Sequence, residues 1–208
     1  ILLTALLLAA SSCGDGGPAA AGSGEDPGGG EPDADMIIDH TRCDTGSIPR
    51  SALEAAAGSL HIAYGHTSHG SQIVTGMDGL PAFTGDDIYR YSAGGSGGTL
   101  DLRDRPFSGA SDLGAPDGSA WEAATRTYLA ANPDINVVIW SWCGQVSYAS
   151  EAYIENYLSL MDGLERDHPG VMFVYMTGHL DGTGTDGNLH VRNERIREWA
   201  RITCATAW

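Results

Sequence analysis

Two short polar segments carry most of the residues able to do chemistry. Gly65-His66-Thr67-Ser68-His69-Gly70 follows the apolar run Leu60 to Tyr64, and Thr177-Gly178-His179-Leu180-Asp181 follows Val171 to Met176. A serine hydroxyl exposed in such a turn, an imidazole to take its proton and backbone N–H groups aimed at the developing oxyanion are the equipment of acyl transfer. The backbone N–H of Ser68, at the start of a helix, is itself a candidate oxyanion donor. The same residues fit a second chemistry. His66, His69 and His179, from two neighbouring loops with Asp181 nearby, suit Zn²⁺ with an open fourth position, and bound water would then replace the serine as nucleophile. They also have plain structural roles: Ser68 as the cap of the following helix, and the histidines as polar, substrate-positioning groups.

Other signals are less specific. Trp140, Trp142, Tyr148 and Tyr153 could stack a sugar or simply pack. Cys143 is a thiol, but reads better as a small buried apolar residue. Asp181 to Asn188 is rich in Asp and Gly, yet it lacks the spacing and terminal Glu of an EF-hand and reads as a flexible loop.

The elements that must position these groups alternate. Ser47-Ile48-Pro49 predicts the start of a helix over 50–57, closed at Gly58, and 60–64 reads as a buried strand. A helix through Ile73 and Met77 follows, then a weaker strand over 88–91. A Gly-rich loop, 93–98, opens a long irregular stretch reaching Asp117. Ser119 is the expected cap of a helix over 121–131. Strand 136–142, helix 151–167, strand 171–176, loop 177–188 and helix 191–203 complete the chain. Continuous apolar strands separated by helices predict a parallel sheet covered on both faces, and in such sheets ligands bind beyond the carboxyl ends of the strands. The polar segments fall there.

This order, with Gly65-His66-x-Ser68-x-Gly70 before a helix, Gly94 to Gly98 in a later loop and Cys143-Gly144-Gln145 after a third strand, resembles the SGNH/GDSL hydrolases, in particular divergent members whose first block reads Gly-His-x-Ser-x-Gly. The resemblance spans roughly residues 58 to 204. It implies a three-layer α/β/α fold of flavodoxin-like type with a mostly parallel sheet. It also implies Ser68 as nucleophile, Gly94, Gly95 or Gly97 as oxyanion donor, and Gln145, beside Gly144, where the family has Asn. No cofactor is implied. The substrate would be a small-molecule or carbohydrate ester, such as an O-acetyl group. Trp142-Cys143-Gly144-Gln145 departs from the usual Gly-x-Asn, and no Asp-x-x-His block precedes Trp208. The domain is therefore expected to be incomplete at its C-terminus, with the base drawn from His66, His69 or His179 or lying further on. A non-catalytic carbohydrate-binding protein is a further alternative.

Composition narrows the classes. All eleven cations are Arg, and without Lys there is neither a Walker-type phosphate loop nor a Schiff-base or Ser-Lys enzyme. A formal charge of −16 argues against nucleic acid or an anionic membrane surface as partner. Residues 1–13 read as a signal peptide ending in a lipobox-like Leu8-Ala9-Ala10-Ser11-Ser12-Cys13, with Cys13 the lipidation site. The absence of Met and of a basic leading segment makes truncation at the start an expectation too. Residues 14–35, with eight Gly, three Pro and six acids, read as a disordered tether, and 36–208 as the hydrolase domain. An exported, lipid-anchored protein of the bacterial cell envelope is expected. Of Cys43, Cys143 and Cys204, the first and last are the expected disulfide pair.

Overall fold

The structure, a computed structural model, describes residues 37–42 and 44–206. The leader with Cys13, the tether and Cys43, and with them the lipidation and the Cys43–Cys204 pairing, lie outside the described residues. Cys143 is a free thiol.

Five parallel strands make one sheet in the order β2-β3-β1-β4-β5. They are β1 (His61–Gly65), β2 (Tyr91–Ser92), β3 (Leu100–Asp104), β4 (Val137–Trp140) and β5 (Met172–Val174). The central strand is β1, where Ile62, Ala63 and Tyr64 are fully buried because both faces of the sheet are covered. Ile62 stands between Leu102 and Val137, which aligns the strand ends that carry the polar segments.

Five helices among the described residues form the outer layers: α1 (Arg50–Ser59), α2 (Ser71–Thr84), α3 (Ala120–Ala131), α4 (Glu151–Asp167) and α5 (Asn188–Thr206). Strand side chains alternate between the faces. Ile62, Tyr64, Val137 and Ile139 pack with Leu53 and Ala56 of α1 and Met77 of α2. Ala63 and Val138 face the other way, against Trp121 of α3, Ile154 and Leu158 of α4 and Ile196 of α5. The result is the expected three-layer α/β/α fold. Along α4, Ile154, Leu158, Met161 and Leu164 recur at three- and four-residue steps and are all buried, each contributing about 1.5–3 kcal/mol. No helix among the described residues is long and apolar enough to cross a membrane.

Four local expectations are corrected. The stretch read as irregular contains β3, and the weaker strand is a 3-10 turn, Asp87–Tyr89, followed by the two-residue β2. Ser119 does not cap α3; the Asp117 carboxylate accepts from the backbone N–H groups of Ser119 and Ala120, each at 2.9 Å. Ser47 lies in a 3-10 turn, and α1 starts after Pro49 with no side-chain cap.

Candidate functional site

The turn after β1 is shaped by its two glycines. A Cβ on Gly65 would penetrate the ring of Trp140, which is buried and fixed by its Nε1–H bond to Thr125 Oγ1 at 2.8 Å. A Cβ on Gly70 would press on His66 and lie 3.0 Å from Ser141 Cβ. Between these close approaches the chain runs extended to Thr67 and then reverses. Ser68 takes φ 43°, and among the described residues only Arg105, at the end of β3, shares such a left-handed backbone without being glycine. That conformation costs about 1–3 kcal/mol and is held only where the surroundings over-determine it. Here it leaves Ser68 exposed at the tip of the turn, ahead of α2. Ser68 does not cap that helix: Gly70 is the N-cap residue, with no side-chain cap bond, and Ser71 Oγ–H donates back to the Ser68 carbonyl at 2.6 Å.

Two imidazoles accompany the hydroxyl. His69 Nδ1 is 3.5 Å from Ser68 Oγ, and the His69 ring stacks on His179 with centroids 3.7 Å apart. His179 Nδ1 is 3.0 Å from the Leu180 carbonyl, while its Nε2 is buried without a hydrogen-bond partner. Gly144 borders the pair, since a Cβ there would sit 3.8 Å from His179 Nε2. Ser68, His69, His179 and Gly144 therefore lie together at the carboxyl end of the sheet, beside an opening lined by His69 and His179. Comparison with family models, with curated proteins and with solved structures finds no match.

His66 is turned elsewhere. It is buried, and its Nε2 lies 2.6 Å from Asp104 Oδ1 at the end of β3. As that ring nitrogen faces a carboxylate it carries the proton, and Nδ1 is left buried and unpartnered. With His66 on Asp104 and His69 face to face with His179, the three imidazoles do not converge on one ion. Among the described residues the one group whose donor atoms lie within 4.8 Å of each other is His61, Asp101 and Asp134. It is at the opposite end of the sheet, and the Arg103 guanidinium already bonds both carboxylates where a cation would sit. Burial alone would raise the Asp101 carboxyl, but bonds from Arg103, His61 and the Gly94 N–H outweigh it and hold the group below the ordinary range.

The glycine loop is at that far end too. Gly94 N–H donates to Asp101 Oδ1 at 2.7 Å, and Gly95 abuts Thr99 and Asp101. Asp101 pairs with His61, the first residue of β1, whereas Ser68 follows its last. Four residue steps of strand, about 13 Å, separate the levels, so Gly95 and Gly97 are not oxyanion donors to Ser68. Gln145 is likewise engaged. Its amide accepts from Cys143 N–H at 2.9 Å and donates to Asp112 Oδ1 at 3.0 Å, and Gly114 has no room for a Cβ against it. Asp181 is exposed and accepts from Thr183; that bond, reinforced by the Thr183 backbone and by Ser147, holds its carboxyl down at about 2 and ties it to its own loop. Of the sugar-stacking candidates, Trp140 and Trp142 are core residues, Tyr153 is half-buried and Tyr148 alone is exposed.

Three supporting groups have no sequence motif. Asp112, buried in the loop after β3, accepts from Thr67 Oγ1, from Gln145 and from Gly114 N–H, joining three loops behind Ser68. Tyr64 OH donates to the Gly70 carbonyl at 3.0 Å and lies 2.5 Å from Ser141 Oγ, and burial pushes its phenol up to about 12, so it remains a proton donor at neutral pH. Asp104, the partner of His66, completes the set.

Proposed function

We propose that this protein is a serine-dependent hydrolase of esters. The observation that carries this reading is the left-handed, exposed Ser68 at a strand-to-helix turn, with an imidazole nitrogen 3.5 Å from its hydroxyl. Ser68 Oγ attacks the ester carbonyl as its proton passes to His69 Nδ1. Backbone N–H groups at the start of α2 and the edge of the Gly144 loop border the developing oxyanion. The C–O bond then breaks, the alcohol leaves with the proton from His69, and water attacks the acyl-serine by the reverse transfers. Distances of this kind tighten when substrate binds, so 3.5 Å is compatible with a general base. Stacking on His179 holds the His69 ring, while the His66–Asp104 pair and Asp112 hold the turn. The reading agrees with the resemblance to SGNH-type hydrolases, and the leader-like run ending at Cys13 favours an exported, lipid-anchored enzyme.

The test is hydrolysis of p-nitrophenyl acetate by the wild type and by Ser68→Ala, with fluorophosphonate labelling mapped by peptide mass spectrometry. Turnover and labelling should both be lost in the variant while its circular dichroism is unchanged, because an exposed hydroxyl contributes little packing. Undiminished turnover in Ser68→Ala would refute the mechanism.

A further inference from the structure

A groove leads away from this opening. It has a volume of about 640 Å³, within the range of small-molecule sites, and runs down α2. His69 and His179 stand at its mouth. Ile73, Met77, Leu80 and Phe83 line one side along a single helix face, and Met176, beyond β5, lines the other. No Asp, Glu or Arg is among its lining residues; the polar ones, such as Thr45, Gln72 and Thr177, are neutral. Phe83, 84% exposed, continues the apolar lining at the far end. Gly76 sits midway along the lining helix, and a Cβ built on it meets no atom within 4 Å. A side chain at this position would enter open space, and glycine here is costly, as the poorest residue for a helix interior apart from proline.

We infer that this groove binds the apolar acyl chain of the ester, so that the substrate class is medium- or long-chain acyl esters and not the acetylated sugars that the resemblance brings to mind. The inference rests on the serine-hydrolase reading for the position of the carbonyl. The groove's lining is independent of it. An acyl carbonyl at Ser68 has its chain directed past His69 and His179, and the surface beyond them offers methyl, methylene, thioether and ring carbons with no charge to desolvate. A sugar ring there would lose its hydrogen bonds to water without replacement. Each methylene moved from water into the groove is worth about fourfold in specificity constant.

The experiment compares p-nitrophenyl acetate with p-nitrophenyl octanoate in the wild type, Gly76→Phe and Gly76→Ala, and titrates decanoic acid into each by isothermal calorimetry. Gly76→Phe sets a ring into the groove from a position whose Cβ meets no atom now present, and Gly76→Ala controls for loss of the glycine. The wild type should prefer octanoate by at least about tenfold in kcat/KM. Gly76→Phe should abolish that preference, read as the ratio of kcat/KM for the two esters within one variant, and abolish decanoate binding, whereas Gly76→Ala, which adds a single methyl, should keep both the preference and the binding. Equal use of the two esters, or an unaltered preference in a folded Gly76→Phe, would overturn the groove's role while leaving Ser68-dependent acetate hydrolysis intact. If neither ester is turned over, the hydrolase reading fails separately. Calorimetry then decides the groove: decanoate binding lost in Gly76→Phe sustains an apolar-chain site, and no binding to the wild type overturns it.

Discussion

Asp112 is the residue whose removal should matter most for its size. Its carboxylate is 2% exposed and holds three donors from three segments: Gly114 N–H at 2.9 Å and Gln145 Nε2 at 3.0 Å on Oδ1, and Thr67 Oγ1 on Oδ2. Hydrogen bonds to a charged group contribute about 1.5–3 kcal/mol each. They share one acceptor, so their contributions do not simply add. Asp112→Ala should therefore lower the unfolding free energy by about 3–5 kcal/mol, since it leaves buried donors without partners. For a domain of this size that corresponds to roughly 10 °C in Tm. Asp112→Asn separates charge from geometry. The amide oxygen can keep Gly114 and Gln145, and Thr67 can turn its hydroxyl to accept from the new NH₂. Only charge assistance is lost, about 1–2 kcal/mol. Urea unfolding followed by circular dichroism measures both. Thr67 precedes Ser68, so turnover of p-nitrophenyl acetate should fall in the same order, wild type above Asn above Ala. An Asp112→Ala variant within about 1 kcal/mol of wild type, or an Asn variant no better than Ala, would show that this carboxylate is not the tie between the three loops.

Two further outcomes follow from packing and titration. Gly65→Ala forces a methyl into the fixed ring of Trp140 and should cost about 1–3 kcal/mol by thermal unfolding; an unchanged Tm would mean that the strand end and ring separate freely. Burial raises the Glu165 carboxyl, and the neighbouring Asp162 adds to the rise, against a bond from Tyr175 OH. A carboxyl raised in the folded state contributes stability that is complete below its unfolded pKa and lost as pH climbs through the folded value. Glu165→Gln removes that loss and can still accept from Tyr175. Its stability relative to wild type should therefore rise between about pH 4 and pH 7, and a difference that is flat or falling over that interval would contradict the burial argument.

The sequence pattern reveals elements whose burial is continuous or periodic and misses those that bury charge. Strand β4, with Val137, Val138 and Ile139 in succession, and helix α4, with its three- and four-residue apolar steps, are legible because hydrophobic spacing alone defines them. Strand β3 is Leu-Asp-Leu-Arg-Asp, which looks like an exposed segment. Its Asp101 is nonetheless 1% exposed, compensated by Arg103, His61 and the Gly94 N–H. None of these partners except Arg103 is close in sequence, so the compensation exists only in the folded sheet. The helix caps fail for a related reason: Ser119 and Asp117 are both competent acceptors, and which one reaches the N–H groups depends on how the loop enters.

The site divides along the same line. Gly65, Ser68 and Gly70 are legible because a strand end, an exposed hydroxyl and a close backbone approach each demand a particular residue type at a fixed spacing. Gly95 and Gly97 mislead because glycine reports backbone freedom and says nothing of location; their left-handed conformations build the turn into β3, at the wrong end of the sheet for Ser68. Histidine is ambiguous in another way. Three of them within reach of one opening are compatible with a metal, a base or a packing pair, and the choice is made by their neighbours. Asp104 takes the ring of His66, and the face of His179 takes the ring of His69. Those two partners come from β3 and from the loop after β5, so parallel strand order decides which imidazole is left beside the serine. Asp104 thus acts on His66 and through it on the turn, whereas the ring of His69 rests on the face of His179. The imidazole beside Ser68 is therefore oriented by a stacked ring, an arrangement that no spacing of residues along the chain could have announced.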